Sequence, residues 1–130
     1  MPALTLVAAT LCVNSTTEIA IPASAPMRSN RLGKARADVE FIGLNGNISI
    51  ALGIQNSDDA LNWTNHTSAG DLFISFTTTS TVVHAGSYTD VSTLTNAKQY
   101  FRFVWYAKLT SGTTLATGYA QGNVDILPMT

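Results

Sequence analysis

From Lys34 to Phe41 the chain alternates without error: Ala35, Ala37, Val39 and Phe41 fall on one side, Lys34, Arg36, Asp38 and Glu40 on the other. Side chains of a strand point to its two faces in turn, so this pattern predicts a strand with one wet face. The alternation resumes after Asn45-Gly46, with Ile48, Ile50, Leu52 and Ile54 set against Asn47, Ser49, Ala51 and Gly53. Asn-Gly accepts the positive φ angles of a type I′ turn, and a hairpin over residues 34–55 is expected. A second hairpin is expected further on: Phe101, Phe103, Trp105, Ala107 and Leu109 share one face, Thr110-Ser111-Gly112-Thr113 supplies a turn, and a return strand runs from Thr114 toward Leu127. Gly118 and Gly122 in that return strand point to a bulge or a close backbone approach.

Between these units, Asp71 to Phe76 reads as a strand with Leu72, Ile74 and Phe76 on one face. Thr78 to His84 is a further strand, rich in β-branched residues, and Ser87 to Ala97 a loop or single turn. Leu4 to Val13 and Glu18 to Ile21 have strand character with both faces apolar, a pattern that asks for burial on both sides or against another subunit. No segment carries a helical apolar stripe. About seven to nine strands without helical inserts predict an all-β fold, an antiparallel β-sandwich of jelly-roll type with an extended N-terminal arm. Ile21 to Pro26 is linker-like, which divides the chain into an N-terminal arm or edge strands over residues 1–26 and a sandwich over residues 27–130.

At 130 residues and 45% hydrophobic content the chain can bury a core without staples, and charged residues make up only 12%. Average soluble proteins carry about 25% charged residues, so most of this surface must be neutral hydroxyl and amide, supplied by 38 Thr, Ser and Asn. The net charge of −1 exerts no pull toward nucleic acid or anionic lipid. It conceals an asymmetry: residues 1–37 carry +3, with Arg28, Arg31, Lys34 and Arg36 close together, and residues 38–130 carry −4. The basic stretch is expected to dock on an acidic body, its own or a neighbour's; without interleaved aromatics it is a weak nucleic-acid signal. Leu4 to Val13 lacks the basic flank of a secretory signal, and no run approaches the ~18 apolar residues of a spanning helix. The single cysteine, Cys12, rules out an intrachain disulfide and reads as a small buried side chain.

Catalytic signatures are missing: there is no glycine-rich phosphate loop, no Gly-x-Ser-x-Gly elbow and no His-Glu-x-x-His. His66 and His84 stand in no ligand spacing, and both read as structural or solvent-exposed. Asp58 and Asp59 form the densest oxygen cluster. They read first as an Asx-type turn closing the preceding strand, and second as Ca²⁺ or sugar-hydroxyl ligands beside Trp63.

The segment Gln55-Asn56-Ser57-Asp58-Asp59-Ala60-Leu61-Asn62-Trp63 resembles a Q-x-S-x-D-x-x-x-W stretch of small phage and viral β-sandwich proteins and of some discoidin-like carbohydrate-binding modules. The resemblance covers about ten residues of the chain and implies a jelly-roll virion component such as a capsid decoration (cement) protein or a small capsid subunit. Two functions are therefore carried forward. The first is a non-enzymatic structural protein of a virus or phage particle, located in the virion. Its partners would be copies of itself and a major capsid or other virion protein, with Leu4, Leu6, Arg28, Arg31 and Arg36 as assembly contacts. Neither membrane nor nucleic acid is expected as a partner, and no cofactor or metal. The alternative is a carbohydrate-binding module, its glycan site at Asp58, Asp59 and Trp63, with Tyr88, Tyr106 and Tyr119 as further stacking faces.

Overall fold

A computed structural model describes residues 3–28, 32–45, 48–65, 72–78, 81–85, 88–90 and 98–128. Among these residues twelve strand segments follow one another: β1 (Ala3–Thr5), β2 (Ala9–Val13), β3 (Ile19–Pro22), β4 (Met27–Arg28), β5 (Leu32–Asn45), β6 (Ile48–Ser57), β7 (Thr64–Asn65), β8 (Leu72–Thr78), β9 (Thr81–Ala85), β10 (Thr89–Asp90), β11 (Tyr100–Leu109) and β12 (Ala116–Pro128). All pairings are antiparallel. In sheet A, β1 and β2 lie in tandem along β12, β12 pairs with β5, and β9 and β10 lie in tandem along the far side of β5. In sheet B, β3 and β4 lie along β11, β11 pairs with β6, and β7 and β8 lie along the far side of β6. The segments thus fill four strand positions per sheet, a two-sheet antiparallel sandwich of jelly-roll type.

Both expected hairpins are corrected by this topology. β5 lies in sheet A and β6 in sheet B; β11 lies in sheet B and β12 in sheet A. Each pair is an arch that crosses from one sheet to the other. Alternation is blind to the difference, because a hairpin and an arch both turn Ala35 to Phe41 and Ile48 to Ile54 toward the same core. Nor does the short connection decide it. Three Cα steps from Asn45 to Ile48 reach about 11 Å, enough to cross the ~10 Å between packed sheets. Gly46 and Asn47, the expected turn, lie outside the described residues.

The two inner faces are complementary in size. On the central strands, β5 and β12 of sheet A present Ala35, Ala37, Val39, Ala116, Ala120 and Val124 with Phe41, whereas β6 and β11 of sheet B present Ile48, Ile50, Leu52, Ile54, Phe101, Phe103, Trp105 and Leu109 with Ala107. Small residues on one sheet make room for large ones on the other, as close packing requires. Gly118 marks such a place, for a Cβ there would lie 2.9 Å from Ile50 Cδ1 and 3.3 Å from Ile48 Cδ1. The pairing of β12 with β5 also shifts register between Thr117 and Gly118, the irregularity expected of this strand.

Residues 3–28 supply one edge of each sheet. Leu6, Leu11, Val13 and Ala23 are buried in the core, whereas Val7, Cys12 and Ile19 on the other face stay exposed, so only one of the two apolar faces expected to be covered is covered within the chain. Backbone bonds run from Leu6 N to Gly122 O (2.9 Å), from Val7 N to Ala23 O (2.8 Å) and from Ala23 N to Phe103 O (2.8 Å), stitching the break between β1 and β2 to both sheets. Cys12 is exposed rather than buried, because Leu11 and Val13 on either side of it take the inward positions.

Candidate functional site

At the end of β6 the chain turns on side-chain hydrogen bonds. Asp59 Oδ1 accepts from the backbone N–H of Leu61 (2.9 Å) and of Asn62 (2.8 Å), and from Ser57 Oγ (2.8 Å). Asp59 Oδ2 accepts from Asn62 Nδ2 at 2.8 Å, and Ser57 Oγ in turn accepts from Asp59 N (3.2 Å) and Ala60 N (2.9 Å). These bonds carry the chain through the left-handed φ of Ala60, at 60°. This is the Asx turn that the sequence favoured, with both Asp59 oxygens engaged in it. Among the described residues no three of His, Cys, Asp and Glu cluster as metal ligands.

The backbone N–H groups of Asn62 and Leu61, with the Asn62 and Ser57 side chains, hold the Asp59 carboxyl well below its ordinary value of 3.8. A carboxyl depressed in the folded state contributes stability above the unfolded value and loses it as pH falls through the folded one. Asp59→Asn is therefore expected to lower the urea midpoint at neutral pH and to narrow the drop between about pH 4 and about pH 2. Urea titrations of both proteins at the two ends of that range check it; an unchanged acid slope would count against the turn's role.

Beyond the turn, Trp63 meets the outer face of sheet B. The Arg102 guanidinium carbon sits 4.1 Å from the Trp63 ring centroid, and Arg102 Nε donates to Gln55 Oε1 at 2.8 Å. Burial pushes the guanidinium below its usual value, opposed in part by Tyr106. On the same face Ala51, Val104 and Tyr106 form a second buried cluster with Ala20, and Tyr106 Oη donates to Ile54 O at 3.4 Å. One face of the indole is thus taken by Arg102, and Tyr106 is buried. Neither joins Tyr88 or Tyr119 on a common surface, since both of those belong to the opposite side of the sandwich. The aromatic platform expected of a sugar site at Trp63 is not assembled.

Of the expected assembly contacts, Leu6 is only 3% exposed and belongs to the core, while Leu4 is partly buried opposite Val124. Arg28 is exposed and lies 5.5 Å from the Tyr100 ring centroid. Arg31 and His66 lie outside the described residues, as does the side chain of His84. Arg36 bonds Asp125 at 2.8 Å and lies 3.4 Å from Asp38, with its guanidinium 5.6 Å from the Tyr88 centroid. At Arg36 the basic stretch docks on the chain's own acidic body.

One edge stands apart in its chemistry. Residues 72–89, which hold β8 and β9, contain no Asp, Glu, Lys or Arg. β8 borders sheet B and β9 borders sheet A, on the same side of the sandwich; among the described residues no further strand pairs with either. Val83 in β9 is 71% exposed. These strands and their lack of charge are legible in the sequence; their positions at the sheet edges are not. The chain matches no protein-family model and no curated protein.

Proposed function

We propose that this all-β sandwich, which lacks catalytic motifs, is a non-enzymatic structural subunit of a virus or phage particle, of the decoration or small capsid kind, that joins copies of itself through the β8–β9 edge. The observation that carries the reading is the uncharged pair of edge strands. Soluble monomers ordinarily blunt their sheet edges with lysine, proline or inward charges, because unpaired N–H and C=O groups template pairing with another chain. The strands β8 and β9 have neither charge nor proline, the nearest carboxylates along the chain lying beyond them at Asp71 and at Asp90 of β10, and the exposed Val83 is the kind of residue that an interface covers. Jelly rolls serve both capsids and lectins, so the fold alone does not choose. The resemblance of residues 55–63 to small phage and viral β-sandwich proteins supports the particle context.

Val83→Lys tests the edge. Val83 pairs with Glu40 across β5, so a lysine there gains an opposite charge within its own sheet while opposing approach of a second lysine-bearing edge. The expected result is a wild-type oligomer by light scattering over a concentration series and a folded Val83→Lys monomer. A wild-type monomer at every concentration, or a variant with unchanged mass, overturns the proposal.

A further inference from the structure

The outer face of sheet A holds a depression of about 540 Å³, within the range of small-ligand sites. Its polar wall is built across the β5–β12 pair, where Glu40 lies opposite Gln121 and Asp38 opposite Asn123. Thr5 from β1 and Val83 from β9 close it on the flanks. Gln121 Nε2 donates to Glu40 Oε1 at 2.9 Å, and the Tyr119 hydroxyl reaches Gln121 Oε1 at 3.5 Å. A carboxylate thus stands beside an amide at two successive steps of the strand pair, ~7 Å apart along the strands.

That arrangement selects a ligand class. Carboxylates only accept hydrogen bonds and amides both donate and accept, so a carboxylate–amide pair answers the mixed donors and acceptors of vicinal hydroxyls. Anions are disfavoured by the carboxylates of Asp38, Glu40 and Asp125, which outnumber the single Arg36 among them. A cation site needs a tighter cluster than the described residues supply.

We infer that this face binds a neutral glycan, with Glu40, Gln121, Asp38 and Asn123 of the central β5–β12 pair holding its hydroxyls. The site is separate from the Asp58–Trp63 loop and does not depend on the assembly reading. Saturation-transfer NMR with soluble β-glucan, mannan and galactan oligosaccharides provides the test. The wild type is expected to bind at least one of them, with affinity reduced about tenfold or more in Gln121→Ala and in Glu40→Gln, as loss of a hydrogen bond to a charged group implies. Trp63→Ala is expected to bind as the wild type does, and near-UV circular dichroism verifies that each variant is folded. No binding by the wild type, equal binding by folded Gln121→Ala and Glu40→Gln, or loss of binding in Trp63→Ala alone overturns the inference. So does selective binding of a lysine-rich peptide in place of every oligosaccharide.

Discussion

Gly122→Ala is expected to destabilise the protein by about 2–6 kcal/mol, a large part of the ~5–15 kcal/mol that holds an ordinary domain folded. Two effects add. Gly122 adopts φ +155°, a conformation from which L side chains are nearly excluded, and occupying it costs about 1–3 kcal/mol. A Cβ would also stand 2.4 Å from Asp38 O and 2.8 Å from both Val39 Cα and Val39 Cγ1. Two of those three atoms are backbone of the neighbouring strand, so no rotamer change relieves the clash, and overpacking adds about 1–3 kcal/mol. The β5–β12 pair would have to part where Gly122 lies opposite Val39, and the Gly122 carbonyl accepts from Leu6 N on its other flank. Gly112 separates the two effects. It has φ +76° with nothing within 4 Å of an added Cβ, so Gly112→Ala should cost only about 1–2 kcal/mol of backbone strain. Urea midpoints of the two variants decide the matter: equal losses would mean that the close approach at Gly122 is not constraining.

Gly122 also shows how far the sequence could be read. Its place in an otherwise strand-like run announced a bulge or a close approach, because glycine inside a strand is unfavourable without such a reason. Alternation likewise identified the inward residues of β5, β6 and β11. Pairing was not legible, because period two records which face is apolar and is silent on which strand lies alongside. Ala51, Val104 and Tyr106 held a clue. They are buried on the outer side of sheet B, which made β6 and β11 central neighbours of each other rather than halves of two separate hairpins.

The sites were less legible than the strands. Ser57 and Asp59 were readable as a turn because their bonding is local, within three residues. The Glu40–Gln121 wall joins residues 81 positions apart, and only the β5–β12 register brings them together. The two apolar faces of residues 4–13 asked for burial on both sides; the inner face is buried, and Val7 and Cys12 leave the outer one exposed. The core covers Leu6, Leu11 and Val13, and period two is equally silent on which strands stand at a sheet edge, as β8 and β9 do.

Trp105→Ala is expected to cost about 3–5 kcal/mol, and Trp105→Phe a smaller amount with a different local signature. The indole is fully buried on the inner face of β11, paired in register with Leu52 of β6 and Ile21 of β3. Its ring meets Phe41 of the opposite sheet edge to face, with centroids 5.8 Å apart and planes at 84°. Its Nε1–H donates to Val7 O at 2.8 Å, in the break between β1 and β2. One side chain therefore joins both sheets and pins the point where the first edge strand is interrupted. Alanine removes the Phe41 ring contact and the Val7 hydrogen bond and leaves a cavity that the Ala-lined face of sheet A cannot fill. Phenylalanine keeps most of the packing and loses the hydrogen bond, worth about 0.5–1.5 kcal/mol net. If the indole anchors residues 6–8, Trp105→Phe should speed amide exchange at Leu6 and Val7, whose N–H groups bond Gly122 O and Ala23 O, more than at the centre of β6. Uniform acceleration across both regions would mean that the tryptophan acts through packing alone, and that the tethered break is held by its backbone bonds.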